Sequence, residues 1–464
     1  MQTIRVISGD HELSALDFQK HYRLGVVHLM DTDRTFEKKY NRNGWPFLMV
    51  VDANGQVVYT CNNLIDSDPA LKKELQKIKQ TKSAAQTVEA DGIRYMASTL
   101  AKNATQADSR HDRFTTLAAG QDGRVFAVYT SVRNDNSDIL MRLWDGTAFT
   151  EVPVAATKFD EYDAAVAVDA GGQPWVCWTG NSTGRFNIFL TNLSDLQGGK
   201  PPIQVSAADD DAMHGRLVCD GQSAVWVTYY RWQKMGGTSR DKEVYLRRWA
   251  DGNLSKEIQI SPTDVPSYED HTDPAIACLG DGAAVCWSWD YHKPNGYPQE
   301  CESPTIFVRT VRADMTAGAV FPLSGKAIES IPALSGPVGG VNWCAWDALT
   351  GTKKSLCVRS FAAAGAVGSA EVISDGLKHL CSPSFAFYKN EKGCLVWAET
   401  TDGQTWRLAR AEYAYASKSW GKKRFIEEKQ NPRYSSAVYD NGGTLWIAYS
   451  VRTPQGRDVA MKSF

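Results

Sequence analysis

Ala224-Val-Trp-Val-Thr-Tyr229 is the clearest copy of a short apolar segment, built around tryptophan or tyrosine, that recurs along the chain. Apolar runs of this length and composition are typical of buried β-strands. The other copies are Arg124-Val-Phe-Ala-Val-Tyr129, Pro174-Trp-Val-Cys-Trp178, Ala284-Val-Cys-Trp-Ser-Trp289, Val341-Asn-Trp-Cys-Ala-Trp346, Cys394-Leu-Val-Trp397 and Leu445-Trp-Ile-Ala-Tyr449. They recur about every 50 to 60 residues, which is the period expected when one four-stranded sheet is repeated.

Each copy follows another apolar strand and a tight turn. Phe114 to Ala119 precedes Gln121-Asp-Gly123, and Ser435 to Tyr439 precedes Asp440-Asn-Gly-Gly443. Asp-Gly and Asn-Gly favour the positive φ angles of tight hairpins, so the first and second strands of each unit are expected to be joined directly. Third strands such as Glu243-Val-Tyr-Leu246, and weaker fourth strands, complete the unit. The sequence therefore predicts a mainly β protein whose major part is a seven-bladed β-propeller.

The last unit ends before a fourth strand can form. A spare strand, Gly92-Ile-Arg-Tyr-Met-Ala97, lies ahead of the first unit. We expect residues 92–100 to pair with the last unit and close the ring, because closure leaves no open sheet edge. The alternative is a strand that only joins two domains. On this interpretation the propeller spans residues 92–464.

The predicted propeller resembles the sialidase-type, Asp-box-related propellers in its general layout. An Asp box reads Ser/Thr-x-Asp-x-Gly-x-x-Trp, and Thr400-Thr-Asp-Gly-Gln-Thr-Trp406 is a degenerate copy that is one residue shorter. The arginine triad of true sialidases cannot be assigned in this sequence. The resemblance therefore implies the fold and does not imply sialidase activity.

Residues 1–80 form a separate predicted unit, and the polar residues 81–91 form a linker. Gly44-Trp45-Pro46 precedes a strand that ends in the turn Asp52-Ala-Asn-Gly55. These motifs resemble the C-terminal part of a thioredoxin-like, redoxin-type domain, which implies a small α/β segment with helices near residues 15–23 and 68–79. Cys61 is the one cysteine of this segment and no Cys-x-x-Cys is present. We therefore expect a partial, redox-inactive scaffold.

Composition excludes several classes of partner. The chain has 51 basic and 53 acidic residues and shows no basic stripe, so no nucleic-acid binding is predicted. It contains no run of about 18 apolar residues that would span a membrane. Its ten cysteines include no Cys-x-x-Cys pair that would suggest a zinc site. No secretion signal is visible. Propellers that occur together with redoxin-like modules are common in bacterial envelopes, and this association favours an envelope or secreted location. The oligomeric state is not indicated.

Polar side chains cluster where the chain leads into the first strands of the first four units. The segments are Arg110-His-Asp-Arg113, Asp160-Glu-Tyr-Asp163, Asp209-Asp-Asp-Ala-Met-His214 and Tyr268-Glu-Asp-His-Thr-Asp273. In a propeller such strand ends converge around the channel mouth, where a concave ligand site is expected. Exposed polar loops are the ordinary alternative for any single segment. Together the four segments place a candidate site on this side of the ring.

The candidate catalytic residues near this mouth are Asp163, His214, Tyr229, Arg231, His271 and Asp273. Asp163 and Asp273 could be the two carboxylates of a glycoside hydrolase. His214 with Tyr229 and Arg231 could abstract a proton beside a uronate carboxylate, as propeller polysaccharide lyases do. A divalent metal could lie among His214, His271 and Asp273, although no metal ligand is assigned from spacing.

Two long loops of blades 3 and 4 supply aromatic and charged side chains beside these residues. The candidate ligand-binding residues are Trp232, Trp289, Asp290, Tyr291 and His292. Aromatic faces with nearby charges suit a sugar ring or a peptide side chain, and packing between the loops is the alternative. The favoured function is recognition of a glycan or another protein over blades 2 to 4. A carbohydrate-active hydrolase or lyase at the same mouth is the alternative, so enzymatic activity stays open.

Overall fold

A computed structural model divides the chain into two compact units, residues 1–105 and 106–464. In the first unit it describes six strands. In the second it describes residues 111–464 except 134–135, 208–210, 235–239, 264–268, 281, 292–304, 326–327, 339, 351–352, 364, 430 and 454–455. No helix among these residues is long and apolar enough to cross a bilayer.

The first unit contains a four-stranded sheet of β1 (Thr3–Ile7), β2 (Val26–Met30), β3 (Leu48–Val51) and β4 (Val57–Cys61). The strand order is β2-β1-β3-β4, with β1 and β2 parallel and the other pairs antiparallel. A separate two-stranded sheet pairs β5 (Glu89–Ala90) with β6 (Ile93–Arg94). The expected helices, Gly44-Trp45-Pro46, and the remainder of residues 92–100 lie outside the described residues. The thioredoxin-like segment and the closing strand therefore stay predictions.

The second unit begins with three blades of antiparallel strands. Blade 1 consists of β7 (His111–Ala119), β8 (Val125–Arg133), β9 (Asn136–Trp144) and β10 (Phe149–Ala155). Blade 2 consists of β11 (Glu161–Val168), β12 (Pro174–Gly180), β13 (Asn187–Asn192), the short helix α1 (Leu193–Gln197) and β14 (Ile203–Gln204). Blade 3 consists of β15 (Ala212–Cys219), β16 (Val225–Lys234), β17 (Arg240–Ala250), β18 (Asn253–Leu254) and β19 (Ile258–Gln259).

Four further blades follow in the same strand order. Blade 4 consists of β20 (Glu269–Leu279), β21 (Gly282–Tyr291), β22 (Ile306–Val311) and β23 (Ala317–Pro322). Blade 5 consists of β24 (Ile328–Leu334), β25 (Asn342–Thr350), β26 (Lys353–Ala362) and β27 (Gly365–Leu377). Blade 6 consists of β28 (His379–Tyr388), β29 (Lys392–Thr400), β30 (Arg407–Ala414), β31 (Ser419–Trp420) and β32 (Arg424–Glu427). Blade 7 consists of β33 (Arg433–Tyr439), β34 (Leu445–Thr453) and β35 (Gly456–Ser463).

The first strands of the blades form the inner ring. Each contacts the first strand of the next blade, and β33 of blade 7 contacts β7 of blade 1. Across this junction the Leu117 backbone N–H donates to Ser436 Oγ at 3.0 Å, and the Arg142 guanidinium donates to the Val459 carbonyl oxygen at 3.0 Å. The predicted seven-bladed propeller is thus confirmed.

The second strands hold the ring together through buried tryptophans. Trp226, Trp287, Trp346 and Trp397 are fully buried between neighbouring sheets, where large aromatic side chains contribute most of the apolar area. A turn aspartate also fixes the ring of Trp226. Asp220 accepts hydrogen bonds from two backbone N–H groups of its turn and from Trp226 Nε1 at 3.0 Å. Asp169 and Asp440 bind Trp175 and Trp446 in the same way.

Candidate active site on the inner strands of blades 2 to 4

Every first strand carries a β-bulge at the same level of the ring. The register with the second strand shifts between Arg113 and Thr116, Tyr162 and Ala165, Met213 and Arg216, Thr272 and Ala275, Ser330 and Ala333, Cys381 and Ser384, and Arg433 and Ser436. A bulge bends its strand and changes the direction of nearby side chains. Seven repeats of one bulge therefore bring equivalent residues of neighbouring blades to the same level.

The first bulge residue adopts a left-handed backbone in five blades. The φ angles are 54° at Asp163, 55° at His214, 49° at Asp273, 50° at Ser382 and 53° at Tyr434. A non-glycine residue in this region costs on the order of 1 kcal/mol. Because the conformation recurs around the ring, the repeat geometry accounts for it. The side chain at this bulge position differs between blades, and blades 2 to 4 carry Asp163, His214 and Asp273 there in succession.

Asp163 of blade 2 contacts two cationic or basic side chains of blade 3. Its Oδ2 lies 2.6 Å from His214 Nδ1, and its Oδ1 accepts from an Arg216 terminal nitrogen at 3.0 Å. Asp163 is only 2% exposed. Burial alone would raise the pKa of this carboxyl, but Arg216 and His214 hold the pKa well below its usual range. Asp163 is therefore an ionised anchor for both partners.

The contact with Asp163 sets the orientation of the His214 ring. Because the carboxylate faces Nδ1, the neutral imidazole carries its proton there and its lone pair on Nε2. The other side of the ring packs on Tyr230, with centroids 5.1 Å apart. An imidazole oriented in this way by a carboxylate is suited to take up a proton at Nε2.

Arg216 supplies a positive charge beside this His–Asp pair. A third of its side chain is exposed, and the nitrogen that binds Asp163 also donates to the Gly215 carbonyl at 2.8 Å. Burial alone would lower the pKa of Arg216, but Asp163, and also Asp273 of blade 4, raise it. Asp273 therefore lies within electrostatic reach of the same guanidinium. Gly215 lets β15 pack closely against blade 2, because a Cβ there would lie 3.2 Å from Cys177 Sγ.

The structure pairs Tyr229 and Arg231 with Glu257. The Tyr229 hydroxyl donates to Glu257 Oε2, and an Arg231 terminal nitrogen lies 3.2 Å from Oε1. Burial raises the pKa of Tyr229 well above its usual value. The same tyrosine, glutamate and cation arrangement recurs within blade 1, formed by Tyr129, Glu151 and Arg142, and between blades 6 and 7, formed by Tyr449, Glu427 and Lys462. The recurrence indicates a structural contact between strands, and Tyr230 is the tyrosine that meets His214.

His271 lies in the core of blade 4 at the same end of the ring as His214. It is 1% exposed, its Nδ1 accepts from Trp287 Nε1 at 2.9 Å, and its ring stacks on Trp289. Burial lowers the pKa of His271 to about 4. His271 is thus neutral at pH 7. In the part of the chain that the structure describes, no three His, Cys, Asp or Glu side chains are grouped to hold a metal, so the metal option gains no support.

The aromatic candidates of blades 3 and 4 are packed where the structure describes them. Trp232 is half-buried, and Lys242 Nζ lies 4.5 Å from its ring centroid. Trp289 lies between His271 and Phe307. Asp290 and Tyr291 belong to β21, but their side chains, and His292 entirely, lie outside the described residues. A ligand groove formed by these five residues stays a prediction.

Arg216 is the residue that reasoning from the sequence missed. The polar segments that indicated a site lead into the first strands, whereas Arg216 lies past the bulge. Its equivalents in the other blades are small, namely Thr116, Ala165, Ala275, Ala333, Ser384 and Ser436. An alignment of the seven units by their bulges would have shown one arginine among small residues.

Comparison with known proteins supports the fold alone. No protein-family model and no curated protein matches the chain. A solved structure titled as a PL25 polysaccharide lyase, an ulvan lyase, superposes with a TM-score of 0.50 at 10% identity, over 76% of this chain and 95% of that chain. A protein of unknown function from Dyadobacter fermentans gives 0.46 at 10% identity, over 77% and 95%. A Penicillium chrysogenum α-L-arabinanase gives 0.44 at 12% identity, over 66% and 94%.

Proposed function

We propose that the propeller is a carbohydrate-active enzyme that cleaves a uronate-containing polysaccharide by elimination at the inner strands of blades 2 to 4. The observation that carries this proposal is the contact of Asp163 with both His214 and Arg216. It combines an oriented base with a cation in one place, which is the pair of groups that elimination beside a carboxylate requires. The propeller fold shared with a polysaccharide lyase is compatible with this chemistry.

In the proposed reaction Arg216 binds the uronate carboxylate. A guanidinium has five N–H donors, and one nitrogen makes both contacts described above, so donors remain for a substrate. The positive charge makes the adjacent C–H more acidic because it stabilises the negative charge that develops on the carboxylate. His214 Nε2 takes that proton, the neighbouring C–O bond breaks, and a C=C bond forms. The leaving oxygen receives the proton, so no water is consumed.

The hydrolase alternative is less well supported. A glycoside hydrolase needs one carboxyl that is protonated when it meets the substrate. Asp163 cannot serve as that acid, because Arg216 and His214 hold its pKa well below the usual range. Asp273 alone would have to supply the acid. Simple glycan or protein recognition over blades 2 to 4 requires no such pairing of a base with a cation, and it is retained as the outcome if no cleavage is found.

The proposal is tested by incubating the full chain with uronate-containing and neutral polysaccharides and following the ultraviolet absorbance of unsaturated uronate. We expect absorbance to rise only with uronate polymers. His214→Gln should lower the initial rate by about 100-fold or more, because it removes the base. His379→Gln, on the inner strand of blade 6, is the matched control and should retain the rate. No absorbance change with any uronate polymer, or an active His214→Gln variant, would refute the proposal.

A further inference from the structure

A cavity of about 180 Å³ opens between blades 1 and 2. One side is formed by the end of β10 and the residues after it, from Val154 to Thr157. The other side is formed by β12, β13 and α1 of blade 2. The helix α1 is an insertion between the third and fourth strands, and no other described blade has a helix there. The cavity therefore exists where blade 2 departs from the common repeat.

Most of the cavity wall is apolar. Trp178 and Phe189 stack with their centroids 5.9 Å apart, and Leu196 of α1 and Val154 of blade 1 complete the wall. An apolar cavity of about 150 Å³ holds a benzene molecule. The space between blades 1 and 2 is therefore large enough for one six-membered ring with a short substituent.

One carboxylate, that of Glu161, lines this apolar space. Glu161 is 3% exposed, and its Oε1 accepts from Thr157 Oγ1 at 2.6 Å. It lies two residues before Asp163, but the bulge directs Asp163 to blade 3 while Glu161 lines the cavity on the blade 1 side. The cavity is thus distinct from the candidate active site.

The charges around Glu161 favour a cation. Burial raises the pKa of Glu161, and the negative charges of Asp138 and Asp160 raise it further, while the hydrogen bonds from Thr157 partly oppose the change. Lys200 is the cation that lines the rim, but its Nζ is 2.6 Å from Asp195 and its side chain is 69% exposed. A positive charge inside the cavity would relieve the repulsion among three carboxylates.

We propose that this cavity binds a small ammonium compound whose apolar body is the size of a six-membered ring, with the ammonium group on Glu161 and the ring against Trp178, Phe189 and Leu196. The apolar wall provides affinity through burial of the ring, and the carboxylate selects the positive charge. The proposal does not depend on the reaction assigned to His214.

The experiment compares three probes of one shape, benzylammonium, benzyl alcohol and benzoate, by calorimetric titration of the full chain at neutral pH. We expect saturable binding of benzylammonium at least about tenfold tighter than that of benzyl alcohol, because a charged hydrogen bond is lost in the alcohol. Benzoate should bind most weakly. Equal affinities for the three probes, tighter binding of benzoate, or no saturable binding of benzylammonium would overturn the proposal.

Two variants and a control connect the binding to the cavity. Glu161→Gln keeps the shape of the side chain and should remove the preference for benzylammonium over benzyl alcohol. Leu196→Trp should fill the space and abolish binding of both. Asp314→Asn removes one negative charge from an exposed turn of blade 4 and should leave both affinities unchanged. A Glu161→Gln protein that still prefers the ammonium, or a Leu196→Trp protein that still binds, would contradict the assignment.

Discussion

His271 should make the stability of the propeller depend on pH in a way that one substitution removes. Its pKa is about 4 in the folded chain and 6.5 when unperturbed, because the core excludes water from the imidazole. As pH falls, the unfolded chain takes up this proton first. The contribution is therefore fully present above pH 6.5 and is lost as pH falls from 6.5 to about 4.

The expected magnitude follows from the two pKa values. Their difference corresponds to about 3 kcal/mol in full, at about 1.4 kcal/mol for each pH unit, and about 2 kcal/mol of this is lost by about pH 5. His271→Asn removes the titrating ring, while its Oδ1 can still accept from Trp287 Nε1. The free energy of unfolding should therefore be measured by urea denaturation of both proteins at about pH 7.5 and about pH 5.

We expect the wild-type protein to lose about 2 kcal/mol more than His271→Asn between these two conditions. Carboxylates titrate in the same range, but they are common to both proteins, so the difference isolates the histidine. His379→Asn is the control and should behave as the wild type does. Equal losses in the wild type and His271→Asn would show that His271 is not held neutral by burial, and would refute the reasoning.

Three further substitutions test the ring and its polar contacts. Asp220→Ala leaves two turn N–H groups and the Trp226 indole without their acceptor. It should lower the free energy of unfolding by about 2 to 4 kcal/mol. A loss under about 0.5 kcal/mol would show that these hydrogen bonds do not stabilise the blade. Asp163→Asn should lower stability by about 2 kcal/mol, because Arg216, a third of whose side chain is exposed, loses its counter-charge. It should also abolish any elimination activity. Unchanged thermal unfolding of Asp163→Asn would argue against this ion pair. Trp232→Ala should lower stability by about 2 kcal/mol, since the ring packs against a core cluster under Lys242. A normal melting temperature together with weakened glycan binding would instead support the predicted groove.

The ring could be predicted from the sequence because each blade repeats its buried second strand. Tryptophan in an apolar run, a Gly-containing turn before it and a regular spacing all indicate the same sheet. Trp226 and Trp397 are fully buried, as the pattern implies. The short fourth strands were weak signals, and some are only two residues long, such as β14 and β19.

The bulges could not be predicted in the same way. Glycine is the residue that usually indicates a left-handed backbone in a sequence. Here the left-handed bulge positions hold Asp163, His214, Asp273, Ser382 and Tyr434. Their conformation is imposed by the ring, which no single segment encodes. The nearest signal is a proline immediately after the bulge residue in blades 4, 5 and 6, and it becomes visible only when the units are aligned with each other.

Part of the candidate site could be predicted because the repeat places its residues at equivalent positions. Asp163, His214 and Asp273 occupy equivalent positions, so a search at the starts of the first strands identified all three. Tyr229 and Tyr230 are adjacent in sequence, and strand alternation puts their side chains on opposite faces. The sequence does not indicate which tyrosine meets His214, whereas the register with Met213 and Tyr245 does.

We propose above that Asp163, His214 and Arg216 together perform elimination on a uronate polymer. Mass spectrometry of the cleavage products tests this claim most directly, because hydrolysis adds one water to each broken linkage and elimination adds none. We predict oligosaccharides that lack this water and end in an unsaturated uronate, formed by the wild-type protein and not by His214→Gln. Products that carry the added water, or an intact polymer after prolonged incubation, would contradict the account.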